Sequence, residues 1–354
     1  MIEVDNISKV YGSTVALQNV SFQVAPGEIL GFLGPNGAGK TTTMRILTGY
    51  LTASRGTARI AGYDIHEDSM AVRQLIGYLP ETPPLYPEMT VTGFLDFVAR
   101  IKQVPAGDRA EKVKLAMERC GLSEKRNVLI RKLSKGFRQR VGIAQALVHD
   151  PPVIILDEPT VGLDPRQIIE VRNLIKSLAG QHTMILSTHI LPEVSMTCSQ
   201  VAIINRGQVV TTGSLENLME QLSQNTGYEV ELTGDVHRIE SDLMVALQNV
   251  PGVSALDKLE VITVAGSEPR YRLRVVCQGE AEPGQEIAAT ILENGIGLYE
   301  LRRTRATLEE IFLEATTSNV ITEETVDTTW GNSTESPEET SESQLDQTQE
   351  SSGA

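Results

Sequence analysis

The sequence predicts an α/β layered domain over residues 1–222, a small α+β unit over 227–316 and a disordered acidic tail over 317–354. Three observations predict the first of these. Strand-like and helix-like runs alternate through it, the pattern of a layered sheet. A Gly-rich loop, Gly34-Pro35-Asn36-Gly37-Ala38-Gly39-Lys40-Thr41-Thr42, separates an apolar strand from a helix. A wholly apolar run, Val153-Ile154-Ile155-Leu156, ends in Asp157-Glu158, as suits a strand buried at the centre of a parallel sheet.

In chain order, residues 2–10 and 19–24 read as strands about a turn at Tyr11-Gly12-Ser13. Pro26-Gly27 punctuates before the apolar run Glu28–Leu33, a buried strand that feeds the Gly-rich loop. Residues 57–61 and 76–79 are further short strands, followed by a Pro-rich passage at Pro80, Pro83, Pro84 and Pro87. Residues 90–103 and 108–120 read as helices with apolar stripes, and a helical subdomain is expected over about 82–150. Ser134 is the expected N-cap of a helix running through Gln139 to Leu147. After the strand at 153–156 come a helix at 165–179, a strand at 183–187 ending at Thr188-His189, and strands at 200–205 and 208–212.

The second unit should place strands at 228–232, after Val253, at 270–276 and at 296–303, with helices at 239–249, 285–294 and 307–315. That order suggests a ferredoxin-like arrangement. The stretch 318–354 is Ser, Thr, Glu and Gln with almost no apolar content, too little to offset its ordering entropy.

The chain has 354 residues, 40% of them hydrophobic, and a formal net charge of −15. Nine carboxylates and no Lys or Arg fall in 318–354, so the remainder carries −6. An acidic chain is poorly suited to general nucleic-acid binding, which needs cations against phosphates. Cys120, Cys198 and Cys277 are far apart, without metal-ligand spacing, and read as small buried hydrophobes in a reducing compartment. No run of eighteen apolar residues could span a bilayer, and the N-terminus has no signal-peptide pattern. Work at a membrane would therefore go through a partner. His66, His149, His182 and His237 fit no motif and are expected at the surface.

The Gly-rich loop fits G-x-x-x-x-G-K-[ST], which cradles phosphates. Its glycines let successive N–H groups turn inward, and the helix start adds partial positive charge. Lys40 can reach β- and γ-phosphates, and the Thr41 hydroxyl can ligate Mg²⁺. The fold expected is thus a phosphate-loop NTPase.

Beyond the loop the chain carries, in order, Tyr11 before it, Glu81 after Tyr78-Leu79-Pro80, Leu133-Ser134-Lys135-Gly136 with Gln139-Arg140, Asp157-Glu158, Gly162-Leu163-Asp164 and His189. This constellation resembles the ATP-binding subunit of ABC transporters over about residues 1–220. The Leu-Ser-x-Gly-x-x-Gln-Arg string discriminates it from other phosphate-loop enzymes. Pro83–Tyr86, Met89-Thr90-Val91 and the terminal Thr307–Phe312 resemble the gliding-motility and multidrug-exporter branch.

The resemblance implies roles. Tyr11 would stack on adenine. Asp157, with Thr41 and Glu81, would hold Mg²⁺. Glu158 would polarise the attacking water, and His189 would sense the γ-phosphate. Ser134, Lys135, Gly136 and Gln139 would meet ATP held by a second ATP-binding subunit, homo- or heterodimeric, and Asp164 would couple the two sites. The family usually has glutamine where Glu81 stands, so the glutamine's role does not transfer simply. ATP hydrolysis would power an integral membrane permease, in the export direction, with this subunit peripheral on the cytoplasmic face and touching the permease through 81–103. The alternatives are a soluble non-transport ATPase of the same family and a nucleotide-dependent regulator.

Overall fold

The computed structural model describes residues 1–218, 227–257, 260–262, 269–277, 282–304 and Phe312. The tail and nearly all of the helix expected at 307–315 lie outside the described residues.

β1 (Ile2–Tyr11), β2 (Thr14–Val24), β4 (Arg55–Ile60) and β5 (Tyr63–Asp64) form an antiparallel sheet in the order β2-β1-β4-β5. β3 (Ile29–Leu33) leads through the Gly-rich loop into α1 (Lys40–Leu47). α2 (Ser69–Leu75) precedes β6 (Ile76–Leu79). α3 (Val91–Ile101), α4 (Arg109–Arg119) and α5 (Lys135–Leu147) pack on one another and lead to β7 (Val153–Asp157). Then follow α6 (Pro165–Ser177), β8 (Thr183–Thr188), α7 (Leu191–Thr197), β9 (Gln200–Asn205) and β10 (Gln208–Ser214).

The larger sheet has the order β10-β9-β3-β8-β7-β6, parallel except for β10. Every residue of β3, β7 and β8 is buried, which explains why those runs lack a polar face. Their alternating side chains divide between two cores. Leu33, Ile154, Leu156, Met184 and Leu186 face α3–α6, whereas Phe32, Val153, Ile155 and Ile185 pack with α1 and the antiparallel sheet. α3 buries Val91, Phe94, Leu95 and Val98 at helical spacing, and the Thr90 hydroxyl accepts from Gly93 N–H at its start.

The second unit comprises β11 (Gly227–Thr233), a helix α8 assembled from Val236–Arg238, the π-helical turn Ile239–Leu243 and Met244–Gln248, β12 (Val253–Leu256), β13 (Glu260–Ile262), β14 (Arg270–Cys277), α9 (Gly284–Glu293) and β15 (Gly297–Thr304). Its sheet runs β12-β14-β11-β15, all antiparallel, with β13 also on β14, over its own core of Val230, Leu273, Leu243 and Ile287. This is the expected ferredoxin-like chain path.

Four details depart from the sequence reading. β2 begins at Thr14, because Val15 and Leu17 pair back onto Val10 and Lys9. The short helices α2 and α7 were not anticipated. The helix expected over 239–249 starts three residues earlier and is interrupted by the π-helical turn. His149 and His182 are not surface residues. His182 is 3% exposed, with Nδ1 2.7 Å from Pro151 O. His149 is half-buried with Nε2 3.2 Å from Ile76 O, and burial pulls its pKa down to about 4. The three cysteines are buried, and burial pushes the Cys120 and Cys198 thiols up to about 12.

Candidate active site: a phosphate cleft at the carboxyl edge of the parallel sheet

Parallel strands put their carboxyl ends on one edge, and the sequence loads that edge with its polar residues. The Gly-rich loop follows β3, Glu81 follows β6, Asp157 ends β7, and His189 follows β8. The register sets Leu33 beside Thr188 and Asp157 beside Ser187. A cleft of about 590 Å³ opens there, lined by Asn36, Gly37, Lys40, Thr41, Glu158 and His189, with Ala16, Gly39, Thr42, Glu81 and Val161 around them.

The loop needs its glycines for different reasons. Gly37 and Gly39 have φ of +82° and +107°, a region that costs other residues strain. A side chain at Gly34 would run into Ile204 O. Ala38 is buried, and its carbonyl accepts from Gly207 N–H, while Pro35 O accepts from Ala38 N–H. Lys40 is 6% exposed; its Nζ donates to Gly34 O at 2.8 Å and Pro35 O at 3.2 Å, and lies 3.3 Å from Glu158 Oε1.

Glu158 is also nearly buried, at 6% exposure. His189 Nδ1 lies 2.9 Å from one of its oxygens and 3.0 Å from the other. A carboxylate only accepts, so Nδ1 carries the proton. Glu158 has φ of +50°, unusual for a residue with a side chain, and its N–H donates to Ser187 O at 2.9 Å. That turn separates its side chain from that of Asp157 despite their adjacency.

Asp157 is fully buried, and neither carboxylate oxygen has a hydrogen-bond partner among the described residues. Burial raises its pKa, with the charges of Glu158 and Glu81 adding; the nearby Ser187 and Thr41 hydroxyls oppose the rise. A buried carboxylate left without donors, beside the Thr41 hydroxyl and an exposed Glu81, is an oxygen donor set that fits a hard divalent cation such as Mg²⁺.

The remaining predicted residues lie elsewhere. Tyr11 is 46% exposed at the end of β1, where Lys9 Nζ sits 5.2 Å from its ring centre; it does not line the cleft. Ser134 caps α5, its hydroxyl accepting from Phe137 N–H at 3.4 Å. Gly136 is buried under Gln167, and a side chain there would meet that amide. Gln139 is buried, whereas exposed Lys135 packs against Gly162. Lys135 and Gln139 share with Glu81 and Val161 a neighbouring cavity of about 460 Å³. Asp164 caps α6, accepting from Gln167 N–H at 2.9 Å. Sequence reasoning missed Glu193, which is 3% exposed and takes hydrogen bonds from Thr160 and Thr188 beside the cleft. A Pro at the start of α7 and an acid in its first turn were the available signals for that helix.

Fold and cleft together define a phosphate-loop NTPase. Residues 17–161 match the model of the ABC transporter family. The chain is 31% identical over 314 residues to the ABC transporter ATP-binding protein YxlF of Bacillus subtilis, spanning 89% of this chain and 99% of that one. It is 29% identical to the linearmycin resistance ATP-binding protein LnrL of the same organism (89% and 98% covered). It is 32% identical to the Nod factor export ATP-binding protein I of Cupriavidus pinatubonensis (89% and 90% covered). Among solved structures, an ATP-binding subunit of an ABC transporter superposes with a TM-score of 0.57 at 30% identity, over 62% of this chain and 92% of that one. A dimeric bacterial ABC transporter cassette gives 0.56 at 26%, over 61% and 99%. The chain belongs to the ABC transporter ATP-binding protein family: it is an ATP-binding ATPase subunit of a transporter.

Proposed function

We propose that this subunit pairs with a second ATP-binding subunit around two ATP molecules, and that closing and reopening the pair drives a separate membrane permease. The observation that carries the reading is Glu158, buried between Lys40 and His189 at the mouth of the phosphate cleft. On this reading the loop residues Gly34–Thr42 hold the triphosphate, and Lys40 exchanges its loop carbonyls for phosphate oxygens. Glu158 accepts the proton of the attacking water. His189 orients Glu158 and senses the γ-phosphate. Thr41 and Asp157, with Glu81 at the rim, are the residues that would hold Mg²⁺. That ion would neutralise charge on the phosphates. Ser134, Lys135, Gly136 and Gln139 would serve the partner's ATP, with the N-terminal end of α5 as the anion-facing element. Asp164, at the start of α6, would transmit closure between sites, and Tyr11 would reach adenine only once nucleotide is bound.

The proposed division is an ATPase domain over 1–222 with a helical subdomain about 82–150, an accessory domain over 227–316 and an acidic tail. No helix among the described residues is long and apolar enough to cross a membrane. A groove of about 520 Å³ lined by Tyr50, Met70, Ile101 and Lys102 supports permease docking, since three of these apolar or aromatic side chains are more than half exposed. The subunit would sit peripherally on the cytoplasmic face. Relatives named for resistance and export favour the export direction. Nucleic acid is not a proposed partner.

Glu158→Gln keeps the shape and removes the base. It should hold ATP affinity within about threefold, lower hydrolysis by about a hundredfold or more, and accumulate an ATP-bound dimer on size exclusion. Hydrolysis at the parent rate would remove Glu158 from the role.

A further inference from the structure

We propose that Glu193 is a positioning residue that fixes the Glu158–His189 geometry from behind the cleft. The proposal rests on the catalytic reading above.

Glu193 lies in the first turn of α7 and is 3% exposed. Its Oε1 accepts the Thr160 hydroxyl, and its Oε2 accepts the Thr188 hydroxyl at 2.9 Å. Thr160 and Thr188 are themselves 3% and 0% exposed. Thr160 stands two residues after Glu158, on the turn leaving β7, and Thr188 directly precedes His189 at the end of β8. Thr188 also accepts Ile190 N–H at 3.1 Å, so the turn carrying His189 is held on both sides. One carboxylate therefore ties together the two segments whose side chains meet at 2.9 Å across the cleft.

The tie is costly in isolation. No basic side chain among the described residues pairs with Glu193, and two neutral hydroxyl donors return less than a carboxylate loses on leaving water. An apolar residue would fill the space at lower cost. What a carboxylate adds is two acceptor oxygens at fixed separation, each demanding a donor. The strand register fixes Asp157 against Ser187, and past the strand ends Glu158 N–H still holds Ser187 O. Beyond that bond and the Glu158–His189 contact itself, Glu193 ties the two turns together through side chains. Loss of it frees His189 to swing on an exposed turn, and small misplacements of reacting groups cost rate steeply.

The test uses the full chain with kcat, KM for ATP and the ¹⁵N resonance of the His189 ring. Glu193→Ala should lower kcat by about ten- to a hundredfold with KM within about threefold, and shift the His189 Nδ1 signal. Glu193→Gln keeps the shape and one acceptor oxygen but replaces the other with a donor, so its kcat should fall between those of Glu193→Ala and the parent. Thr160→Val removes one donor without altering shape and should move kcat and the His189 signal in the same direction; it decides the matter if the alanine variant does not fold. Parent kcat in Glu193→Ala or Thr160→Val, an unmoved His189 signal, or a glutamine variant no better than alanine would each overturn the proposal. Glu158→Gln is the control: if it still hydrolyses ATP, the underlying catalytic reading fails, whatever Glu193 does.

Discussion

At the scale of single residues, burial decides which ionisable groups depend on pH. His149 has a pKa near 4 in the folded chain, first because burial opposes its charge and next because Lys102 is close. An unfolded histidine titrates near 6.5. Between these values the unfolded state binds a proton that the folded state refuses, so stability falls as pH drops from about 6.5 toward 4. The full effect is about 3 kcal/mol. His149→Gln should flatten this window. Urea midpoints of parent and variant, measured from pH 7 to 4.5, should converge at neutral pH and separate in acid with the variant higher. Parallel curves would show that His149 titrates normally. No local pattern announces this, because the packing around His149 comes from Ile76 and Lys102, far away in the chain. Lys40, Asp157 and Glu158 were legible for the opposite reason: their chemistry is written in contiguous residues, a Gly-rich turn and an apolar strand with an acidic end. Glu193 joins Thr160 to Thr188 across two elements, and no local pattern announces such a bridge.

At the scale of elements, the helix that begins with Ser134 takes its position from β6. Gln145 Nε2 donates to Tyr78 O at 2.6 Å, and Gly77 lets the two backbones approach so closely that a Cβ would collide with the carbonyl of Ala146. The obstacle is main chain, so α5 or β6 must move. Gly77→Ala should therefore destabilise the chain by about 1–3 kcal/mol, read as a lower urea midpoint at unchanged slope. It should also weaken ATPase activity if α5 presents Ser134 to a partner's nucleotide. An unchanged midpoint would mean the contact yields easily. β6 and α5 were each recognisable from their apolar patterns, but their close approach was not. α2 and α7 escaped notice because each has only seven residues, too few for a helical period to stand out. α6 lies within the expected span 165–179, and the structure opens it with Asp164 as N-cap and Pro in the first turn.

At the scale of the whole molecule, the apolar residues divide into three cores. Two share the six-stranded sheet, and strands β3, β7 and β8 contribute to both, so neither can be lost alone. The third lies within residues 228–296 and is fed by no strand of that sheet. Of the described residues after 227, partly buried Phe312 packs on the first core. Cooperative unfolding follows shared core, so two transitions are expected by calorimetry. On the proposed reading ATP binds at the edge of the large sheet, and a ligand stabilises the unit that holds it. At a hundred times its dissociation constant it adds about 2.7 kcal/mol to that unit. The expected result is one transition that moves up with ATP and one that stays. Lys40→Ala should abolish the movement, because Lys40 is the buried cation of the phosphate loop. A single transition that ATP raises as a whole would mean that the accessory unit is welded to the ATPase core, and that nucleotide occupancy is felt through the entire chain.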